Sequence, residues 1–307
     1  MESPSVGVKH RCVVAGREIE VICLAALRPH GNKYYKFKYN LEFAREQGYT
    51  TLASFGGAWS NHLAALAQVG AEQGFSTVGI VRGERPVKLS MMLLDAEAQG
   101  MQLHFISRSD YRRRHEPEFL AALQGGLTNC LVIPEGGTNG LAVRGTAEIV
   151  EEVMRLSPAA DLIVLPVGTG GTLAGIAAAL PPGAKVLGIS VLKGTGAESG
   201  AESGLEADVE ALIAAARPLS PLARNWSIDH RFHCGGYAKC PTYLQDFILD
   251  WQRRHGMLLD PVYTGKLFYG LSQMLAQGEI DVNTRIVALH TGGEQGRRGY
   301  GFLKDEV

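Results

Sequence analysis

The sequence predicts an α/β protein with two open parallel-sheet lobes and a ligand in the cleft between them. Three observations carry this. Short apolar runs alternate with helical segments along nearly the whole chain, and such alternation argues for parallel sheets covered on both faces. Several of the runs end in glycine-rich turns, and the carboxyl ends of parallel strands are where such sheets bind ligands. The units between residues 50 and 140 form a plausible lobe of their own, which puts a ligand between that lobe and the rest.

Each element follows from local pattern. Arg11 to Val14 and Glu18 to Leu24 read as short strands around an Ala-Gly turn. His30-Gly31-Asn32-Lys33 breaks that pattern and starts a helix, Tyr34 to Gln47, stopped by Gly48. Thr50 to Phe55 is a strand, followed by Gly56-Gly57-Ala58-Trp59-Ser60-Asn61 and an alanine-rich helix from His62 to Gln73, with Ser60 or Asn61 as its N-cap. Ser76 to Val81 and Gln102 to Ile106 are strands around a helix from Leu89 to Gln99. Basic Arg108 to Arg114 reads as a solvated loop or helix start. Cys130 to Ile133 is a strand ending in Pro134-Glu135-Gly136-Gly137, and Ala142 to Leu156 is a helix.

The central stretch comes next. Leu162 to Val167 is a buried strand that opens into Gly168, Thr169, Gly170, Gly171 and Thr172, then a small-residue helix from Leu173 to Leu180. Strand, glycine loop and helix aim unpaired N–H groups and a positive dipole end at one point, where a phosphate is the usual occupant. A tight turn with no ligand is the alternative. The loop lacks the Lys-Ser/Thr pair of a Walker loop and lies mid-chain, away from the usual place of a dinucleotide fingerprint, so it suggests a phosphorylated cofactor or sugar. Lys185 to Leu192 is a strand, and the doubled Ala-Glu-Ser-Gly before Gly204 a loop and helix entry. Trp226 to Cys234 is extended, Thr242 to His255 and Gly265 to Ala276 are helices, and Arg285 to Leu289 is the last strand, running into His290-Thr291-Gly292-Gly293.

Composition narrows the function. With 307 residues, 46% hydrophobic, 20% charged and a net charge of -1, the chain has ample core, and bulk charge predicts neither nucleic-acid nor membrane binding. The N-terminus shows no secretory h-region, and no run reaches membrane-spanning length. Five cysteines without CxxC spacing read as reduced thiols in a cytoplasm. Nine histidines are scattered without metal-ligand spacing, and no GxSxG elbow appears. What remains is Lys33 after a Gly-Asn pair, Ser60-Asn61 at a helix start, Tyr237 and Tyr263 in glycine-flanked contexts, and Thr291 at a strand end. A lysine plus a phosphate site, without metal or paired carboxylates, fits Schiff-base chemistry on pyridoxal phosphate.

Six segments occur together and in order: Gly31-Asn-Lys-Tyr-Tyr-Lys36, Ser54 to His62, Pro134-Glu-Gly-Gly137, Gly168 to Thr172, Pro261-Val-Tyr-Thr-Gly-Lys266 and His290-Thr-Gly-Gly293. From about residue 28 onward the chain resembles the 1-aminocyclopropane-1-carboxylate deaminase/D-cysteine desulfhydrase family of pyridoxal-phosphate enzymes with the tryptophan-synthase β-subunit fold (fold type II). The resemblance implies a homodimer acting on a small amino acid, with a small domain at 36–145 and a large one from 1–35 and 146–307. It implies Lys33 as the Schiff-base lysine, Asn61 on the cofactor's phenolic oxygen and Gly168 to Thr172 around its phosphate. Ser60, Asn61 and His62 would hold the substrate carboxylate, Thr291 would meet the pyridine nitrogen, and Tyr237 and Tyr263 would orient substrate or handle protons.

The resemblance also discriminates. Its deaminase branch has Glu and Leu where this chain has Thr264 and Thr291, so the pair looks like the desulfhydrase branch. A hydroxyl is too weak an acid to keep the pyridine nitrogen protonated, which suits β-elimination of a good leaving group. D-cysteine going to pyruvate, hydrogen sulfide and ammonia is the expected reaction. Deamination of the cyclopropane acid and a silent binding protein are the alternatives. Three departures bear on substrate: His30 replaces a usual glycine, Leu24 to Arg28 replaces a charged segment, and bulky Trp59 is expected to narrow the pocket.

Overall fold

Turn chemistry fixes the first elements. In the computed structural model of the chain, which describes residues 8–28, 30–194, 204–216 and 225–306, β1 (Lys9–Val14) and β2 (Arg17–Cys23) form a hairpin. Its two linking residues, Ala15 and Gly16, have φ of 49° and 79°, the left-handed pair that a two-residue turn needs to match strand twist. Strands and helices then alternate: α1 (Leu24–Leu27), α2 (Asn32–Glu46), β3 (Thr51–Gly56), α3 (Asn61–Gln73), β4 (Ser76–Arg82), α4 (Met91–Ala98), β5 (Met101–Ile106), α5 (Arg108–Arg112), α6 (Pro117–Gly125) and β6 (Cys130–Ile133). The second half runs α7 (Gly140–Leu156), β7 (Leu162–Val167), α8 (Gly171–Ala179), β8 (Lys185–Ser190), α9 (Gly204–Ala216), β9 (Trp226–Asp229), α10 (Thr242–His255), α11 (Thr264–Ala276) and β10 (Ile286–His290).

The strands form two sheets. Four lie in the order β5-β4-β3-β6, all parallel; six lie in the order β1-β2-β10-β7-β8-β9, parallel except at the β1 edge. The two parallel sheets are as expected, and the β1 edge is antiparallel because a two-residue hairpin joins only antiparallel strands. The extended reading of Trp226 to Cys234 shortens to β9. Beyond it Cys234, Gly235, Gly236 and Ala238 all take positive φ, which curls the chain toward Tyr237. The helix α6 was not anticipated; it has no fully buried residue, so its apolar face gives a weak periodic signal. The doubled Ala-Glu-Ser-Gly lies outside the described residues up to its last glycine.

Helix starts are set by side-chain caps. Ser60 Oγ accepts from the Leu63 N–H at 3.2 Å, Ser90 caps α4 the same way, and Asn139 Oδ1 accepts from Ala142 N at 2.9 Å. Such a cap satisfies one of the donors a helix start leaves free and contributes ~1 kcal/mol. α7 is amphipathic: Ala142, Val143, Thr146, Ile149, Val150 and Val153 are buried, one stripe at helical spacing. It packs on α8, where Gly171 to Ala178 are all buried. A Cβ on Gly175 would lie 2.0 Å from Thr146 Oγ1 and 2.6 Å from the Val143 carbonyl; only glycine lets the two backbones come so close.

α2 bridges the sheets. Phe37, Leu41 and Ala44 join the core of the four-stranded sheet, while Tyr35 joins that of the six-stranded one. The first turn of α2 therefore sits where the two cores meet. Among the described residues no helix is long and apolar enough to cross a membrane.

Candidate active site

The carboxyl ends of β3, β7 and β10 and the start of α2 open onto one cavity of about 1620 Å³. Lys33, Ser60, Asn61, His62, Gly168 to Thr172, Tyr237, Tyr263 and Thr291 all line it. All twelve residues singled out from the sequence are thus brought together.

Lys33 stands in the first turn of α2. Its Nζ donates to Asn32 Oδ1 at 3.3 Å. Burial pulls its pKa from 10.5 down to about 8, against the charge of Asp260, which raises it. One turn later Lys36 is 3% exposed, and its Nζ donates to the Gly136 carbonyl at 2.7 Å and reaches Thr138 Oγ1 at 3.4 Å. Burial, then the neighbouring Lys33 charge, hold Lys36 well below the ordinary range. Among the described residues no carboxylate forms an ion pair with it. The Lys36 Nζ also lies 3.4 Å from where a Cβ on Gly171 would be, so it faces the first turn of α8. Sequence reading missed Lys36, although a spacing of three on a helix puts two side chains on one face.

The loop before α8 is shaped to leave its donors free. Gly170 has φ of 78° and is the N-cap of α8, whose first N–H groups have no acceptor within the helix. Thr172 Oγ1 accepts from Asn32 Nδ2 at 3.1 Å, and Thr169 Oγ1 meets Thr138 Oγ1 at 2.5 Å. A Cβ on Gly168 would be 3.2 Å from the Tyr263 ring, so glycine there lets the tyrosine lie against the loop.

His62 is 4% exposed and stacks on Phe37 at 5.0 Å between ring centres. Ser54 Oγ donates to the Ile133 carbonyl at 2.8 Å and lies 2.8 Å from His62 Nε2. The single hydroxyl proton is thereby committed, so Nε2 carries the imidazole proton and Nδ1 is a bare acceptor. Burial, with Lys33 and Lys36 nearby, holds His62 well below its ordinary pKa and keeps it neutral. Asn61 Oδ1 accepts from Gln295 Nε2, which turns the Asn61 amide N–H₂ toward Gly293. Gln295 is another residue that the sequence reading passed over.

The tyrosines meet edge to face, 6.3 Å between ring centres. Burial raises both hydroxyls, Tyr263 well above its ordinary value; Tyr237 keeps 41% of its surface exposed at the rim. Tyr263 is held by Asp260, a buried carboxylate that accepts from the N–H groups of Val262, Tyr263 and Thr264. Thr264 is not among the cavity-lining residues; its hydroxyl donates to Asp260 Oδ1 at 2.8 Å and so closes the turn that carries Tyr263. Lys266, fully buried, donates to the Gly236 carbonyl at 2.6 Å, next to Tyr237. Thr291 is 8% exposed, and its carbonyl accepts from Asn32 N at 3.3 Å.

Two expected departures are resolved by geometry. Trp59 does not narrow the cavity: its ring packs 3.0 Å from the Cβ position of Gly299 and is absent from the lining. His30 has φ of 64°, a conformation that glycine adopts without strain and that an L side chain rarely takes.

The site fits a phosphorylated, hydrogen-bonding group on two counts. A buried lysine without a carboxylate faces a helix N-terminus, which together fit a dianion. Among the described residues His62 Nδ1 and Gln295 Oε1 are buried polar atoms with no hydrogen-bond partner, which is costly unless a ligand supplies donors.

Comparison with known proteins gives the family. The model of the family "Pyridoxal-phosphate dependent enzyme" matches residues 30–292. A Pyrococcus abyssi protein provisionally named 1-aminocyclopropane-1-carboxylate deaminase is 29% identical over 91% of this chain and 84% of its own. A bifunctional D-cysteine desulfhydrase/1-aminocyclopropane-1-carboxylate deaminase of Arabidopsis thaliana is 29% identical over 86% of this chain and 68% of its own. Among solved structures, an ACC deaminase homologue superposes with a TM-score of 0.79 at 26% identity, covering 94% of this chain and 88% of that one.

Proposed function

Since the chain belongs to the pyridoxal-phosphate dependent enzymes, as a lyase of the ACC deaminase/D-cysteine desulfhydrase group, we propose that its reaction is β-elimination from a small amino acid, with D-cysteine as a substrate. The observation that carries the reading is the pair of lysines on one face of α2, half-buried Lys33 lining the cavity with its Nζ on Asn32 Oδ1 and buried Lys36 at the N-terminus of α8.

When bound, pyridoxal phosphate supplies a sink for the electron pair left at an amino acid's Cα. In this reading the first turn of α8 and Lys36 would hold the phosphate, Asn61 and Thr291 would hold the rest of the cofactor by hydrogen bonds, and Lys33 would supply the amine that attaches it. Ser60 through its hydroxyl, and Asn61 and His62 through their backbone N–H groups at the start of α3, take the substrate carboxylate, while the neutral His62 imidazole, with its proton on the Ser54 side, does not donate to it. Lys33 Nζ accepts the Cα proton, hydrosulfide leaves Cβ with the bond pair, and water hydrolyses the released enamine to pyruvate and ammonia. Tyr263, whose hydroxyl stays protonated, is placed to donate toward the leaving sulfur. We assign residues 36–145 to a small domain and 1–35 with 146–307 to a large one, in line with the two sheets.

The test is product identity with the purified holoenzyme. Pyruvate, sulfide and ammonia from D-cysteine, with no 2-oxobutanoate from 1-aminocyclopropane-1-carboxylate, is the expected result. The reverse pattern replaces the reading by ring-opening deamination.

Lys33 also sets a pH dependence. Its folded pKa of about 8 lies below the ordinary 10.5, so the neutral, nucleophilic amine becomes the major form above pH ~8. Cofactor capture by the apoprotein, followed by visible absorbance, is expected to quicken about tenfold per unit as pH rises toward 8 and to level off above it. A rise that continues to pH 10 means that Lys33 is not desolvated in the apoprotein.

A further inference from the structure

The four-stranded sheet ends in a cluster of arginines that the reaction above leaves unused. β4 and β5 run parallel with Arg82 opposite Ile106. Arg82 therefore leaves the carboxyl edge beside α5, which begins at Arg108 and ends at Arg112. Arg82, Arg108, Arg112 and Arg114 all line the cavity that holds Lys33. Carboxyl edges of parallel sheets are where ligands sit, so this basic wall is part of the site rather than a distant surface.

Only one of the four is compensated. Arg114 Nε donates to Glu135 Oε2 at 2.6 Å, and the Tyr111 hydroxyl donates to the other Glu135 oxygen at 2.6 Å. The Arg82 and Arg114 guanidinium carbons lie 5.8 and 4.9 Å from the centre of the buried Tyr111 ring, so the ring ties Arg82 into this wall. Among the described residues no carboxylate forms an ion pair with Arg82, Arg108 or Arg112. Arg82 Nη2 comes within 3.9 Å of the Cβ position of Gly57, in the turn that leads to Ser60. It thus borders the segment assigned to the substrate carboxylate from the side.

Like charges gathered on one wall of a concave site repel one another and raise the local concentration of anions. The amino acid's own carboxylate is already provided for by Ser60 to His62. Resting on the lyase reading above, we infer that the substrate carries a second negative charge on its side chain, received by Arg82 with Arg108 and Arg112. A planar guanidinium meets a carboxylate, sulfonate or sulfate with paired hydrogen bonds. D-cysteine, with a thiol largely protonated at neutral pH, is then a poorer substrate than an alanine bearing an anionic β-substituent. With serine O-sulfate the Cα–H and Cβ–O bonds break, the proton passes to Lys33 Nζ and sulfate leaves with the bond pair. Water then yields pyruvate and ammonia, with no oxidant or reductant.

Calorimetric binding of aspartate and alanine, each as both enantiomers, to the holoenzyme tests the inference without requiring elimination. Aspartate of one hand is expected to bind roughly tenfold tighter than alanine, with the preference largely lost in Arg82→Gln/Arg112→Gln. Equal affinity in the wild type, or a preference that survives the double substitution, overturns it. Pyruvate release from serine O-sulfate and 3-chloroalanine separates the two claims. An aspartate preference with no pyruvate from either compound sinks the lyase reading and keeps the anion site. Pyruvate from 3-chloroalanine with no aspartate preference does the opposite.

Discussion

Lys33→Ala is expected to lower turnover by ~10⁴-fold or more, and to remove the visible band of the lysine-bound cofactor, while the protein stays folded. The magnitude follows from the side chain's double duty of holding the cofactor and moving the Cα proton. No other described amine can take over. Lys36 is the nearest candidate, one turn away, but its Nζ is committed to the Gly136 carbonyl and faces α8. Lys33→Arg is expected to be equally inactive, because a guanidinium stays protonated and cannot act as nucleophile or base. Lys36→Met should behave differently, weakening cofactor affinity more than it lowers kcat at saturating cofactor. Pyruvate formation and absorbance read both effects. Activity above a hundredth of wild type in Lys33→Ala would remove Lys33 from the reacting group.

Gly145→Ala is expected to destabilise the chain by ~2–3 kcal/mol and to lower kcat as well. Alanine normally strengthens a helix interior by about 1 kcal/mol over glycine. Here the added Cβ would lie 1.9 Å from the Tyr35 carbonyl oxygen and 2.9 Å from its carbon. A backbone group cannot rotate away as a side chain can, so α7 and α2 must part, and overpacking of this kind costs roughly 3 kcal/mol or more. Tyr35 is two residues beyond Lys33, so the displacement reaches the amine. Thermal unfolding should show a midpoint lower by ~5–10 °C. Gly140→Ala, on the same helix with nothing within 4 Å of its Cβ position, is the control and should leave the midpoint nearly unchanged. Equal behaviour of the two variants would mean that α2 and α7 are not packed this closely.

Much of the fold was legible because it is encoded among neighbours in the chain. The buried strand at Leu162–Val167, the cap at Ser60 and the helix at Thr242–His255 appear where apolar period and capping residues place them. The hairpin edge was legible as two strands around a turn, and α6 hid because it buries no complete residue. The branch marker Thr264 does not line the cavity; its hydroxyl closes the Asp260 turn behind Tyr263.

The sequence by itself determined that strands end in glycine loops, that one loop opens a helix suited to phosphate, and that a lysine opens another. These are properties of adjacent residues, set by backbone sterics and side-chain period. Only the tertiary structure decided what converges there. Strand neighbours such as β2 with β10 and β10 with β7 are far apart in sequence, so the distance between Lys33 and Asp260, or the tie between Asn61 and Gln295, has no local signature. The same holds for charge. Arg108 to Arg114 reads as a solvated loop or helix start along the chain, and it became with Arg82 the basic wall of a cavity once parallel pairing brought their strand ends to one edge.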